Sequence, residues 1–253
     1  MERLTLAAAV LGGAALTLSA CGGGSSDAAR PPAAPVTSPA SMTQGAATPT
    51  SSPSATAAST PAKPQAFTAK ITKIPSRATV KYSWHSGCPV GIDGLRLIRM
   101  TYWGMDHKPH QGELIVNAGV ATKIVSVFHK LYDARYPIRR MELVDKYKGS
   151  DFQSIEADNT SAFNCRNATG SSNWSQHAYG LAVDVNTCEN PYVHANGHIE
   201  HPRCVKYGNR KRMDPGVIHA GDKVVRAFRS IGWGWGGTWG GPWDFQHFSA
   251  NGR

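Results

Sequence analysis

Hydrophobic and polar residues alternate along some parts of the chain and recur at helical spacing along others. Alternating or β-branched runs predict strands, and they cover residues 95–103, 112–116, 138–144, 181–185 and 245–248. Helical spacing of apolar residues predicts one helix over 120–132, ended by Pro137, and an amphipathic second helix over 222–230. Helices mixed with short strands indicate a single α+β domain.

The amino-terminal residues 1–21 have the pattern of an export signal. An apolar run from Leu4 to Leu18 is short for a membrane-spanning helix, which needs roughly 20 residues. The segment ending Ser19-Ala20-Cys21 resembles the lipobox of bacterial lipoproteins. That resemblance implies cleavage before Cys21 and a lipid on Cys21 that anchors the protein to the outer face of the cytoplasmic membrane. An ordinary secretory signal cut near Ala20 is the alternative.

Residues 22–66 consist almost entirely of Gly, Ser, Ala, Pro and Thr, with no aromatic residue. Such a segment buries too little apolar surface to offset its conformational entropy, so we predict a disordered linker. The remaining residues, 67–253, have the size of one domain.

The formal net charge of the chain is +10, of which residues 1–66 contribute only +1, so the domain carries about +9. A basic exported domain favours anionic cell-wall polymers or lipid head groups as partners. Export argues against nucleic acid.

Apart from Cys21, the chain has an even set of four cysteines, as expected of disulfides in an exported domain. Three connectivities are possible. We favour Cys188–Cys204, which would close a loop around a Gly- and His-containing insertion, and this leaves Cys88–Cys165. A second metal site is the alternative, but the C-x-x-C pairs that it requires are missing from the sequence.

Two histidines and a carboxylate suggest a metal site near the carboxyl end. His177 precedes the turn at Gly180, and Asp184 follows on the predicted strand, so both side chains can point to one place. His247 would close the site from another strand. Two imidazoles and one carboxylate suit Zn²⁺, and three protein ligands leave a position for water, as in catalytic zinc sites.

The same region resembles the D-alanyl-D-alanine carboxypeptidase and L-alanyl-D-glutamate endopeptidase family of zinc metallopeptidases. The family signature is S-x-H-x-x-G-x-A-x-D, followed by an acidic residue and a histidine. The matching residues are Ser175, His177, Gly180, Ala182, Asp184, Asp244 and His247. The resemblance covers about residue 160 to 253, whereas residues 67–159 carry no motif of this family.

The resemblance implies a hedgehog/D,D-peptidase-like fold, in which a central antiparallel sheet flanked by helices carries one zinc ion. His177, Asp184 and His247 are then the ligands. The four histidines of the Pro- and Gly-rich insertion match no family position and are interpreted as solvated loop residues: His194, His198, His201 and His219.

Asp244 occupies the family's general-base position. With an ordinary aspartate pKa of about 3.9 it is expected to be ionised at neutral pH and to accept a proton from zinc-activated water. It lies three residues before His247, so the two side chains converge only if the backbone turns between them. Aspartate in place of glutamate is more typical of the endopeptidases than of the carboxypeptidases.

The family also supplies an arginine upstream of the first histidine, for which Arg166 is the candidate, with Arg139 and Arg140 as competitors. Such a cation stabilises negative charge on the substrate carbonyl oxygen. Ser175 is expected to orient the site through hydrogen bonds, since this mechanism needs no nucleophilic serine.

The implied function is hydrolysis of an amide bond in peptidoglycan stem peptides during cell-wall remodelling, by a monomer outside the cytoplasm. The candidate bonds are L-Ala–D-Glu, the terminal D-Ala–D-Ala and a crosslink. A catalytically silent cell-wall-binding lipoprotein is the rival interpretation, and its expected signature is a missing ligand or base. None is missing from the sequence.

Overall fold

The computed structural model describes residues 65–253. The predicted signal, Cys21 and nearly all of the predicted linker 22–66 therefore lie outside the described residues. No helix in 65–253 has the length and apolarity needed to cross a membrane. The α-helices are α1 (Ala121–Asp133), α2 (Asp151–Glu156) and α3 (Lys223–Arg229). The strands are β1 (Ala69–Lys73), β2 (Leu95–Gly104), β3 (Pro109–Asn117), β4 (Pro137–Ile138), β5 (Ala182–Asp184), β6 (Tyr192–Val193), β7 (Gly234–Trp235), β8 (Trp243–Asp244) and β9 (His247–Ser249).

The larger sheet has the order β1-β2-β3, with antiparallel neighbours, and β4 pairs in parallel with the end of β2. Alternate residues of β2, such as Ile98 and Met100, are buried on the face that packs on α1. Leu97 points to a second apolar cluster on the opposite face. The apolar stripe of α1 closes the main core, as the sequence pattern predicted.

A smaller antiparallel sheet, of order β5-β9-β7, lies beside this core. Phe248 of β9 stacks on Phe228 of α3 with ring centroids 4.1 Å apart. Asp222 caps α3 by accepting hydrogen bonds from the backbone N–H groups of Val224 and Val225. The prediction of a mixed helix and sheet domain with antiparallel sheets is confirmed. Asp184 and His247 lie on the smaller sheet and not on the larger one, and His177 lies in the turn before β5.

Two predicted strands differ from the structure. Only the first residue of 138–144 is in a strand, because the Arg139 N–H donates to the Asn186 side chain and its guanidinium turns towards Asp158 and Glu189. Residues Val144–Tyr147 then form a 3₁₀ turn. The predicted strand 245–248 begins two residues late, because a turn occupies positions 245 and 246.

Both predicted disulfides are confirmed. Cys88 pairs with Cys165, and Cys188 pairs with Cys204, with Cα atoms 5.9 Å and 4.8 Å apart. The first holds the segment that precedes Arg166. The second closes a loop that carries β6 and His201. Two disulfides are typical of a domain outside the cytoplasm.

Candidate metal centre

A turn, the strand that follows it and the pairing of that strand with β9 place the candidate ligands. His177 lies in the 3₁₀ turn Gln176–Tyr179, which Ser175 caps by accepting a hydrogen bond from the His177 N–H at 3.2 Å. Gly180 then takes a left-handed conformation, with φ of 66°, so the chain reverses directly into β5. Asp184 ends β5 and lies opposite His247 in the register of β5 and β9.

The three side chains meet in the buried interior. His177 Nε2 lies 3.1 Å from Asp184 Oδ2 and 3.2 Å from His247 Nδ1, and Asp184 Oδ1 lies 3.0 Å from the same His247 nitrogen. Each residue is at most 5% exposed. The sequence motif thus corresponds to one compact cluster that can hold a metal ion.

Hydrogen bonds on the far side of each imidazole fix its orientation. His177 Nδ1–H donates to the carbonyl oxygen of Ala162, and His247 Nε2–H donates to that of Arg253 at 3.3 Å. The lone pairs of His177 Nε2 and His247 Nδ1 therefore both point towards Asp184. A histidine that binds a metal through one ring nitrogen usually donates the N–H of the other to a carbonyl, a carboxylate or water in this way.

This donor set fits a zinc ion. Tetrahedral ligands with Zn–N near 2.0–2.1 Å lie about 3.3 Å apart, close to the distances between these atoms. Two lone pairs and a carboxylate that converge without a proton between them repel one another unless a cation lies among them. Burial alone lowers the pKa of His177, but Asp184 raises it overall, whereas the imidazoles hold the pKa of Asp184 far below its usual range against the effect of burial. Both shifts mean that the cluster favours positive charge.

Asp244 enters the same cavity because the chain turns at Phe245 and Gln246, as convergence with His247 required. Asp244 pairs with Tyr192 in the register of β6 and β8, and its Oδ1 atom is buried with no hydrogen-bond partner among the described residues. Burial raises the pKa of Asp244 to about 7, Asp184 adds to the increase, and His247 and Arg166 oppose it.

The expectation of an ordinary aspartate pKa for Asp244 therefore differs from the structure, because a sequence pattern does not show burial. A divalent cation on the neighbouring ligands would lower this pKa again. A carboxyl group with a pKa near neutral can both accept and return a proton.

Arg166 also lines the cavity. Its Nη2 atom lies 2.8 Å from Asp151 Oδ2, and its buried Nε has no partner among the residues that the structure describes. Ser175 connects it to the ligands: the Ser175 N–H donates to the Arg166 carbonyl at 3.1 Å, while the Ser175 hydroxyl caps the turn of His177.

The two competing arginines lie elsewhere. Arg139 bridges Asp158 and Glu189, each at 3.3 Å, and Arg140 lies 3.9 Å from Glu142. Neither lines the cavity of Arg166 and the three ligands.

The cavity has a volume of about 380 Å³. Six buried side-chain atoms in the described part of the chain have no hydrogen-bond partner, and four of them belong to residues of the cavity wall: Arg166 Nε, His194 Nε2, Asp244 Oδ1 and Gln246 Oε1. Buried polar groups in folded proteins nearly always have a partner. Their concentration here indicates a binding site for a polar ligand that supplies the missing partners.

The interpretation of all four insertion histidines as solvated loop residues is wrong for His201. His194 and His201 line the cavity, and His201 is only 7% exposed, with its Nδ1 atom 2.7 Å from Glu156 Oε1. The disulfide Cys188–Cys204 closes the loop that carries both residues. They therefore reach the cavity although they lie outside the sequence motif. In the sequence, only the two cysteines that flank these histidines indicated that the insertion folds back on itself.

A pair of buried imidazoles with a carboxylate, an open cavity and a nearby acid defines the class of site found in metal-dependent hydrolases. Residues 169–250 match the model of a protein family described as D-alanyl-D-alanine carboxypeptidase. The matched segment contains all three candidate ligands and Asp244, and it supports a peptidase. No curated protein and no solved structure matches the chain.

Proposed function

We propose that this protein is a zinc-dependent peptidase that hydrolyses an amide bond in peptidoglycan stem peptides and so remodels the cell wall. The observation that carries the proposal is the convergence of His177, Asp184 and His247 within 3.2 Å in a cavity that Asp244 also lines. The Oδ1 atom of Asp244 is buried there with no hydrogen-bond partner among the described residues. The family match to residues 169–250 supports the substrate class.

In this proposal His177 Nε2, His247 Nδ1 and one oxygen of Asp184 hold the zinc. When bound, the ion polarises the substrate carbonyl and lowers the pKa of a water molecule to about 7. Asp244 accepts the proton that the attacking water loses and then donates it to the departing amine. A cation held by the neighbouring ligands would lower the pKa of Asp244 from about 7, which favours the ionised form that accepts the first proton.

Arg166 provides positive charge where the substrate carbonyl oxygen becomes negative. Its Nε–H is buried with no partner in the described part of the chain, so a hydrogen bond from it to that oxygen is worth more than one in water. Asp151 holds the other end of the guanidinium. Ser175 acts through the backbone, by joining the positions of Arg166 and His177, and has no nucleophilic role.

The bond that is cut is either L-Ala–D-Glu or D-Ala–D-Ala, and aspartate at position 244 favours the endopeptidase. We further propose an exported monomer anchored through a lipid on Cys21, with peptidoglycan and not nucleic acid as its partner. The positive charge of residues 67–253 supports an anionic cell-wall environment.

Zinc content by elemental analysis and digestion of purified peptidoglycan, with the products identified by mass spectrometry, tests the proposal. We expect one zinc per domain and new amino termini at D-Glu or release of D-Ala. Zinc-loaded protein that binds peptidoglycan but releases no product would instead identify the silent binding lipoprotein. Protein that neither holds zinc nor cuts would contradict the proposed function.

A further inference from the structure

Gln246 is a cavity residue to which the proposed reaction assigns no role. It lies between Asp244 and His247 at the turn that joins β8 to β9, and its backbone carbonyl accepts a hydrogen bond from the Val185 N–H at 3.0 Å. This bond anchors the Gln246 backbone to the end of β5. The side chain therefore extends from a backbone position that is held by a hydrogen bond to the neighbouring strand.

The side-chain Oε1 atom of Gln246 is buried, and no described residue donates a hydrogen bond to it. The residue is 4% exposed, it lines the cavity, and its Oε1 atom has no hydrogen bond to any residue that the structure describes. An unsatisfied buried amide destabilises a folded protein, whereas an apolar side chain of similar shape does not. An amide here is therefore costly for the fold unless a ligand supplies its partner.

We propose that Gln246 binds a secondary amide of the substrate, a peptide group next to the one that is cut. This role of Gln246 rests on the proposed function, and it gives substrate binding to a residue next to the reacting groups. A side-chain amide has a donor and an acceptor, and so does a peptide group, so the two can pair in either orientation. The pairing is neutral and adds no charge to a cavity that already contains Arg166 and Asp244.

An uncharged side chain suits position 246, which lies between Asp244 and His247. A carboxylate at position 246 would repel Asp244, and a cation would compete with a metal ion for His247. An amide avoids both effects and still recognises the peptide backbone. N-acetyl groups of the wall sugars offer the same amide chemistry, so the experiment must separate peptide from sugar.

The test compares Gln246→Met, which keeps the length and removes the amide, with Gln246→Glu, which keeps an acceptor and adds charge. Gln153→Met, on the exposed side of α2, is the control. A soluble stem pentapeptide containing both candidate bonds is the substrate, and kcat and KM are measured separately. Kd is measured by calorimetry in the Asp244→Asn background, for the pentapeptide and for a peptide-free N-acetylglucosamine–N-acetylmuramic acid disaccharide.

We expect Gln246→Met to raise the KM and the pentapeptide Kd about tenfold or more, with kcat changed by less than about threefold. Its zinc content should be unchanged and its Tm equal to or above that of the parent, because the buried Oε1 atom has no partner among the described residues. Gln246→Glu should also weaken binding, and Gln153→Met should behave like the parent.

Two results would overturn the role of Gln246 alone: a lower Tm with unchanged KM, which is the behaviour of a structural residue, or a loss of affinity confined to the disaccharide. A parent that neither binds nor cuts the pentapeptide would instead overturn the proposed function and the substrate class together. If Gln246→Met does not fold, an unchanged Kd in folded Gln246→Glu contradicts the proposal equally.

Discussion

Asp184 and His247 lie directly opposite each other on the antiparallel strands β5 and β9, with Oδ1 and Nδ1 3.0 Å apart. Opposed side chains on one face of such a pair are close by construction. The sheet itself therefore sets the distance between two of the three candidate ligands, and only His177 depends on a turn.

Replacing His247 should remove metal binding. We expect His247→Ala to abolish stoichiometric zinc, because two remaining ligands give a much weaker site. Elemental analysis after dialysis measures this. His198→Ala is the matched control, since His198 lies in the insertion and outside the cavity wall. A His247→Ala protein that retained zinc as tightly as the parent would show that the ligand set is wrong.

Asp244 should separate catalysis from metal binding. Asp244→Asn keeps the size of the side chain, and within residues 65–253 its Oδ1 atom has no hydrogen-bond partner to lose, so we expect normal folding and zinc content. Activity should fall by roughly 10² to 10⁴, the effect of removing a general acid-base group. Activity per zinc-loaded, folded molecule distinguishes a catalytic role of Asp244 from a structural one. An undiminished value would mean that Asp244 only stabilises the turn.

Glu189 should make stability depend on pH. Burial raises its pKa to about 8 in the folded protein, Asp158 adds to this and Arg139 opposes it. A raised folded pKa contributes stability that is complete below the ordinary value of 4.5 and is lost as the pH rises to about 8.

Glu189→Gln keeps the neutral form at every pH, so we expect it to lose less stability than the parent between pH 4.5 and 8. The difference should be on the order of a few kcal/mol, since one pKa unit is worth about 1.4 kcal/mol. Urea unfolding across this range measures it, with the exposed Asp93→Asn as control. Parallel pH profiles for parent and Glu189→Gln would contradict the assignment.

The disulfide Cys188–Cys204 closes a loop whose ends are 16 residues apart. Replacing both cysteines with serine should lower the free energy of unfolding by about 3 kcal/mol. KM should also rise, because the loop places Tyr192 and His194 in the cavity wall. Zinc content should not change, since no proposed ligand lies in the loop. Loss of zinc from the double variant would show that the loop supports the metal site as well.

Cys21→Ser should release the protein from membranes if the lipobox is used. Fractionation of cells and the mass of the mature amino terminus test this. Parent protein found in the medium without an acyl group would leave only an ordinary secretory signal.

The sequence by itself determined the elements whose patterns are local. The helical spacing of α1, the alternation of β2 and the cap of α3 each depend on residues within a few positions of one another, so these elements were predictable. The motif around His177 and Asp184 was readable for the same reason, because a single turn at Gly180 brings the two together. The even number of cysteines, together with the insertion that Cys188 and Cys204 enclose, led to the correct disulfide pairs.

Tertiary structure alone decided what depends on distant partners. Strand β1 is mostly exposed and has no apolar alternation, so only its pairing with β2 makes it a strand. Helix α2 is too short for a periodic signal. The elevated pKa of Asp244, the missing partner of Gln246 and the entry of His201 into the cavity wall arise from burial by segments far away in the chain. Burial is a property of the packed fold, and no local pattern of residues contains it.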